Sequence, residues 1–191
     1  STEQFETESS GSHSFTDNGV IFNITSYVST FEVVNFPGTG WNGTTADNRY
    51  IDNTLGVGVA NPSFSIRTTS NLFKANKFWV YVANQYNNQN TTGTLTVTGR
   101  LSGITKFNAI KSNNFATSLG TTNGYTLIDL TNLNGINYSN IIIDELRLTL
   151  GGNFYYIGLD AFTWVKDSGV VLGTSETKVS QKDFTIYPNP T

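Results

Sequence analysis

The sequence predicts an all-β fold, a two-sheet antiparallel β-sandwich of the jelly-roll type. Between Phe5 and Val165 the apolar residues recur with a period of two, and β-branched and aromatic residues dominate these runs. Turn signals rich in asparagine and glycine, such as Asn18-Gly19, separate the runs. Roughly eight to eleven such strands in one domain favour two packed sheets. A pair of immunoglobulin-like domains is the alternative, although no linker divides the body near its middle.

The alternating runs predict strands at particular places along the chain. The clearest runs lie at residues 20–24, 64–66, 78–82 and 95–97. Near the end, Leu146, Leu148 and Leu150 fall on one face together with Asp144, and a Gly-Gly-Asn turn follows at 151–153. Residues 155–165 then continue as another apolar run. We predict a long antiparallel hairpin from these two strands.

The chain divides by composition into a folded body, a linker and a tail. The body covers residues 1–165, where the strand pattern is continuous. Residues 166–182 are small, polar and weakly patterned, which is typical of a linker. Residues 183–191 read DFTIYPNPT, an alternating run that ends in two prolines. An edge strand stopped by proline is the simple structural interpretation of this tail.

The tail also resembles a bacterial sorting signal. An alternating strand that runs into Tyr-Pro-Asn-Pro-Thr is similar to the start of the C-terminal sorting domain of the type IX secretion system in Gram-negative bacteria. The resemblance implies that the type IX machinery is a partner, and that the protein is secreted or lies on the cell surface. Since such domains are longer, we expect the domain to be incomplete in this sequence.

The composition argues against several classes of function. The absence of cysteine excludes disulfides and thiolate metal sites, and a single histidine, His13, excludes histidine-rich metal catalysis. The net charge is −3 and the basic residues are scattered in sequence, so we predict no nucleic-acid partner. No apolar run is long enough to span a bilayer, so we predict no membrane span.

The two ends of the body resemble calcium-bearing jelly-roll carbohydrate-binding modules. The acidic-x-acidic pattern at Glu6 and Glu8 and an aspartate, Asp160, between apolar residues of the last strand carry this resemblance. It implies that the first and last strands lie side by side and that these three acids hold one structural Ca²⁺. Hard oxygen ligands are what calcium requires. On its own the first strand is equally consistent with a solvated edge whose glutamates deter pairing.

Sugars stack on aromatic rings and are oriented by polar side chains, and residues 36–53 supply both. This long glycine-rich segment predicts a carbohydrate-binding loop. Trp41 has no alternating apolar neighbours, so we predict that its ring stacks on the sugar, although it is alternatively a plug over the end of the sandwich. The other candidate ligand-binding residues of the segment are Asp47, Asn48, Arg49, Tyr50 and Asp52.

A second aromatic patch is predicted at Trp79 and Tyr81. Both residues face away from the apolar set Phe78, Val80 and Val82. They indicate either an exposed sugar-binding groove or the inner face of a sheet covered on both sides.

The sequence therefore predicts a secreted, non-catalytic carbohydrate-binding module stabilised by calcium. A jelly-roll polysaccharide-degrading enzyme is a second hypothesis, but adjacent Asp144 and Glu145 point to opposite faces of a strand and do not serve one substrate. A third hypothesis is a cell-surface adhesin module without sugar specificity.

Overall fold

The computed structural model describes residues 1–172 and forms twelve strands, with no helix among these residues. The strands are β1 (Thr2–Glu3), β2 (Ser14–Asp17), β3 (Val20–Val28), β4 (Glu32–Asn35), β5 (Arg49–Asp52), β6 (Ser63–Thr68), β7 (Asn71–Ala83), β8 (Gly93–Leu101), β9 (Ile104–Lys111), β10 (Tyr125–Asp129), β11 (Glu145–Gly152) and β12 (Tyr156–Val170). The four clearest alternating runs of the sequence, at residues 20–24, 64–66, 78–82 and 95–97, fall within β3, β6, β7 and β8.

The strands form two six-stranded antiparallel sheets, which confirms the predicted sandwich. Sheet A has the order β10-β7-β12-β5-β4, with β1 pairing with β12. Sheet B has the order β2-β3-β6-β11-β8-β9. Each sheet contributes one apolar face to a shared interior, so the opposite face of each sheet is directed outward.

The interior is rich in phenylalanine, and Phe22 lies at its centre. Its ring stacks on Phe15 at 5.0 Å between centroids and meets Phe73, Phe162 and Trp164 edge to face. Since Phe15 and Phe22 belong to sheet B and the other three to sheet A, this cluster joins the two sheets. Strands β2 and β3 bring Phe15 opposite Phe22 through the turn at Asn18 and Gly19, which both have positive φ.

The predicted hairpin of the last two strands is wrong, because β11 and β12 lie in different sheets. Strand β11 pairs with β6 and β8, whereas β12 pairs with β7, β5 and β1. The turn at 151–153 therefore carries the chain from one sheet to the other. Each of the two strands directs one row of apolar residues into the same interior. Their alternating pattern in the sequence is therefore the same as that of two strands paired in a hairpin.

An irregularity in β12 decides which way Asp160 points. Alternation predicts that Asp160 shares a face with Phe162 and Trp164. Instead, Ala161 has a left-handed backbone (φ 50°) and the register with β7 shifts between Asp160 and Thr163. Leu159 and Phe162 both face the interior as a result, and Asp160 is on the outer face of sheet A.

Strand β12 continues to Val170, past the predicted end of the folded body at residue 165. The first residues of the predicted linker thus extend the strand. The rest of that segment, 173–182, and the sorting tail, 183–191, lie outside the described residues, and both assignments stay predictions.

We expect Phe22→Ala to lower the free energy of unfolding by about 3–5 kcal/mol, because a large cavity opens where the two sheets meet. Ile21→Ala, at the neighbouring position that is 53% exposed, is the matched control and should change stability by about 0.5 kcal/mol or less. Urea unfolding of both variants checks the difference. Equal losses in the two variants would contradict the central position of Phe22.

Candidate functional site

A cleft of about 500 Å³ opens on the outer face of sheet A. We call it the tyrosine cleft. Three tyrosines on three strands line it: Tyr50 on β5, Tyr81 on β7 and Tyr125 on β10. Its other lining residues are Phe36, Gly38, Thr39, Asp52, Thr54, Asn87, Leu119 and Asn123. The cleft thus combines aromatic rings with amide, hydroxyl and carboxyl groups in one concave surface.

Gly158 leaves the space between the tyrosines open. It lies on β12, and a Cβ at this position would be 3.2 Å from the Tyr50 ring and 3.5 Å from Tyr125 Oη. Tyr50 and Tyr125 are buried and meet edge to face at 6.2 Å, whereas Tyr81 is partly exposed. Tyr81 therefore offers the most accessible tyrosine ring of the cleft.

The side of the cleft is held in place by a hydrogen-bond chain through Thr39. The Tyr125 hydroxyl donates to the Thr39 carbonyl oxygen at 3.1 Å, and the Thr39 and Tyr50 hydroxyls are 2.7 Å apart. Asn123 adds two bonds, from its amide nitrogen to the carbonyl oxygens of Gly38 and Gly40. The glycine-rich loop before β5 is thereby fixed against sheet A.

Asp52 is the carboxyl group of the cleft. It is only 4% exposed, and its carboxylate accepts a hydrogen bond from the Thr54 amide. Burial raises the pKa of Asp52 to about 6, and the Thr54 bonds oppose this shift. The group therefore changes between a hydrogen-bond donor and a pure acceptor within a mildly acidic range.

Two carboxyl groups lie side by side beneath the glycine-rich loop. Asp160 is fully buried, and its Oδ2 accepts a hydrogen bond of 2.8 Å from the Trp41 amide. Burial and the neighbouring charge of Asp47 raise the pKa of Asp160 to about 9, and burial raises that of Asp47 to about 6. Gly40 makes this approach possible, since a Cβ there would be 2.2 Å from Asp47 Oδ1 and 2.9 Å from Asp160 Oδ2.

Asp47 is the member of this pair whose carboxyl oxygens lack hydrogen-bond partners. Both carboxyl oxygens of Asp47 are buried and lack a hydrogen-bond partner among residues 1–172, and the same holds for Gln4 Oε1. Gln4 follows Glu3, which pairs with Phe162 on β12, and its amide nitrogen donates to the Asn42 carbonyl beside Trp41. This places a third oxygen-bearing side chain at the same end of sheet A.

The structure does not bring Glu6, Glu8 and Asp160 together in one group of ligands. Strand β1 ends at Glu3, so both glutamates lie in the following turn and not on a strand. Glu6 accepts bonds from the backbone amides of Asn48 and Arg49 and from the Asn48 side chain, and Glu8 accepts one from the Thr16 amide. No group of three acidic, histidine or cysteine side chains suited to a metal occurs within the described part of the chain.

The predicted stacking surface of Trp41 is also not available. Trp41 is 8% exposed and packs edge to face on Trp79 with 6.0 Å between ring centroids. Trp41 is thus buried, as the plug interpretation predicts, but its ring covers the outer face of sheet A and not the end of the sandwich. Trp79 is partly exposed and serves as its platform.

The structure separates the other predicted ligand-binding residues into two groups. Tyr50, Asp52 and Tyr81 converge on the tyrosine cleft. Asn48 and Arg49 are used within the loop instead, because Asn48 accepts a bond from the Gly38 amide and Arg49 donates to the Glu8 carbonyl.

Sequence reasoning missed Tyr125, Gly158 and Asn123. Asn123 is part of the Asn123-Gly124 turn and Tyr125 follows it. The turn predicts the start of a strand but does not indicate a binding site. Their place in the cleft depends on β10 pairing with β7, which is a non-local contact.

We expect Asp52→Asn to be more stable than the wild type at pH 8 by on the order of 2 kcal/mol, with the gap closing towards pH 4. The folded-state pKa of Asp52 is raised from 3.8 to about 6, so wild-type stability falls as pH rises through that window. The substitution removes this loss. Thermal melts from pH 4 to pH 8 in excess chelator measure it.

Asp129→Asn is the control, since Asp129 bonds to Thr131 at an exposed turn. It should not reproduce the closing gap. A stability difference for Asp52→Asn that is the same at every pH would contradict the raised pKa.

Distant relatives of the fold exist among solved structures. A DUF4465 family protein from Bacteroides caccae ATCC 43185 is 15% identical with a TM-score of 0.47, and the match covers 87% of this chain and 93% of that chain. The K1 cleaved adhesin domain of Lys-gingipain from Porphyromonas gingivalis W83 is 15% identical with a TM-score of 0.49, covering 87% and 98%. TmCBM61, solved with β-1,4-galactotriose, is 11% identical with a TM-score of 0.35, covering 76% and 88%.

These likenesses are too distant to carry a functional argument. No protein-family model matches the chain, and no curated protein matches it.

Proposed function

We propose that this protein is a secreted, non-catalytic carbohydrate-binding module that binds a neutral glycan in the tyrosine cleft. The cleft itself is the observation that carries the proposal, because it joins aromatic rings to a ring of polar groups. Sugars present apolar C–H faces and outward hydroxyls, and both need partners in a binding site. Tyr81 and Phe36, both partly exposed, supply the apolar partners.

The polar groups of the cleft suit sugar hydroxyls. Asn87 carries a side-chain amide, Asn123 offers its amide oxygen because its nitrogen donates to the Gly38 and Gly40 carbonyls, and Asp52 carries a carboxyl group. Asn123 precedes β10 and Asp52 ends β5, and β7 and β12 lie between these two strands, so the polar groups approach a ligand from different sides. Such convergence is how a binding site fixes the orientation of a small polar ligand.

Among the described residues, the lining of the cleft does not contain the pair of carboxyl groups that glycoside hydrolysis commonly uses. Asp52 is the one carboxyl group among the lining residues, whereas hydrolysis commonly needs two flanking the scissile bond. His13 is not a lining residue of the cleft, and its ring contacts the Phe31 carbonyl and faces Glu32 at 3.9 Å. Binding without catalysis is therefore the function that the geometry supports.

A structural Ca²⁺ at Asp47 and Asp160 is the second part of the proposal. Two buried carboxyl groups in contact repel unless a proton or a cation lies between them. The unpartnered oxygens of Asp47 and of Gln4 are hard ligands of the kind that calcium prefers. When bound, the ion supplies positive charge to this buried pair. Of the three ligands implied by the resemblance, only Asp160 is retained here.

Such an ion would support the cleft through the loop between β4 and β5. Asp47 lies on this loop, which also carries Phe36, Gly38 and Thr39 of the cleft. Asp160 lies on β12, the central strand of sheet A. A cation that joins Asp47 to Asp160 therefore fastens the side of the cleft to its sheet.

The sorting tail at 183–191 supports export by the type IX machinery and a place outside a Gram-negative cell. The support is the Tyr-Pro-Asn-Pro-Thr sequence. Within residues 1–172, no helix has the length and apolar character needed to cross a membrane.

We expect Tyr81→Ala to weaken glycan binding about tenfold or more, because the most accessible tyrosine ring of the cleft is lost. A glycan array of neutral oligosaccharides identifies the ligand, and calorimetry with the best one measures the loss. Tyr86→Ala is the matched control, since Tyr86 is 81% exposed and does not line the cleft. Equal affinity of the Tyr81 variant and the wild type would place the site elsewhere.

If no glycan binds while immobilised protein still attaches to cells, the module is an adhesin without sugar specificity and the proposal fails.

Saturating Ca²⁺ should raise the melting temperature of the wild type by roughly 5–10 °C, since ligand at about a hundred times Kd adds about 2.7 kcal/mol. Asp160→Asn should abolish this shift because one charged ligand is lost. Glu8→Gln should keep it, since Glu8 contacts the Thr16 amide and not the pair. Differential scanning calorimetry with and without chelator measures the shifts, and an unchanged wild-type melt rules the ion out.

A further inference from the structure

The outer face of sheet B carries a cluster of cationic side chains that the tyrosine cleft does not involve. Arg67 on β6, Arg147 on β11 and Arg100 on β8 all project from this face, as does Lys106 on β9 by alternation with buried Phe107. We call these four residues the arginine face. The chain has only four arginines and a net charge of −3, so the fold concentrates positive charge here.

The register places two of the guanidinium groups in one row. Glu145 on β11 is the cross-strand partner of Arg67 on one side and of Arg100 on the other. Two inter-strand spacings separate the strands of these arginines, so their backbones are about 10 Å apart. Thr98 and Asn108 form part of the next row and are joined by a hydrogen bond of 2.7 Å.

Glu145 offsets one of the four positive charges of the arginine face, because it is a single carboxylate that forms an ion pair with Arg67. It is 5% exposed and accepts hydrogen bonds from the hydroxyls of Ser65 and Tyr27, at 2.6 and 3.2 Å. Arg67 lies 3.8 Å from it and its side chain remains 51% exposed. The arginine face therefore carries four cations beside one acid, Glu145, whereas the other acid on the strands of sheet B, Asp17, accepts a hydrogen bond from the Trp164 indole.

The Arg147 guanidinium is held in one orientation by two contacts on the arginine face. Its guanidinium lies 3.9 Å from the centroid of the Tyr27 ring, and its Nε donates to the Ser63 hydroxyl at 3.2 Å. Among residues 1–172, its two terminal nitrogens have no hydrogen-bond partner. These nitrogens form the edge of the guanidinium that can bind a carboxylate or sulfate group through two parallel hydrogen bonds. A stacked arginine loses less freedom when it binds.

We propose that the arginine face is a second binding site and that it takes an acidic polysaccharide. Guanidinium groups recognise carboxylate or sulfate groups, and the hydroxyl and amide side chains of Thr96, Thr98 and Asn108 match the neutral hydroxyls between them. A linear glycan that crosses the strands meets Arg67 and then Arg100, whose Nη2 donates to the Gly103 carbonyl oxygen at 2.6 Å and whose other terminal nitrogen faces the ligand.

The surface suits a glycan better than a nucleic acid. Binding of single-stranded nucleic acid relies on aromatic rings on which bases stack. The aromatic ring of this face, Tyr27, is already covered by Arg147.

The test measures binding of the whole protein to polygalacturonate and to dextran sulfate, with uncharged dextran as the reference polymer. The two acidic polymers distinguish carboxylate from sulfate as the recognised group. We expect at least one of them to bind at low salt and to weaken as sodium chloride is added, since the contacts are ionic. Dextran should not bind.

The double variant Arg67→Gln with Arg100→Gln should bind the acidic polymer about a hundredfold more weakly, about tenfold for each lost charge-assisted contact. Glutamine at position 67 keeps a hydrogen-bond donor beside Glu145. Thermal melts of the variant verify that it is folded. The matched control, Lys74→Gln with Lys77→Gln, removes the same charge from β7 of sheet A and should bind as the wild type does.

Tyr81→Ala should also leave acidic-polymer binding unchanged, which separates this site from the tyrosine cleft. The proposal fails if the arginine variant binds as tightly as the control, or if neither acidic polymer binds. It fails as well if single-stranded DNA binds as tightly as the glycan with the same dependence on Arg67 and Arg100, because the face is then a general polyanion surface.

Discussion

The hydrogen bond from the Trp41 amide to the buried carboxylate of Asp160 is the contact on which the outer surface of sheet A depends. It ties the loop between β4 and β5 to the central strand β12. It fixes the Trp41–Trp79 pair and acts together with the Thr39 and Asn123 hydrogen bonds that hold the side of the tyrosine cleft. A buried carboxyl group is costly, so its retention at this point indicates that it serves more than packing.

Asp160 reaches this position through a local irregularity. Ala161 adopts a left-handed conformation, which is uncommon for a residue with a side chain, and the strand gains a bulge there. The bulge lets Leu159 and Phe162 both enter the interior while Asp160 turns outward. One strand thereby completes the aromatic core and supplies the acid beneath the loop.

The two sheets differ in the chemistry of their outer faces. Sheet A carries aromatic residues and buried carboxyl groups under a loop, which suits an enclosed, neutral ligand. Sheet B is open and carries guanidinium groups among hydroxyl and amide side chains, with Arg147 oriented by the Tyr27 ring. Because the shared interior lies between the two faces, the domain presents two separate surfaces, and ligands bound to them would not compete.

The sequence by itself determined the all-β class, the sandwich and the apolar face of the regular strands, because alternation with period two is a local property that holds wherever a strand has no bulge. It also identified Tyr50, Asp52, Tyr81 and Asp160 as residues of interest. Only the tertiary structure decided that Asp47 meets Asp160, that Trp41 is buried, that Tyr125 joins the cleft and that three arginines share one face. Those outcomes depend on which strands pair and on one bulge, and both are settled by contacts between residues far apart in the chain.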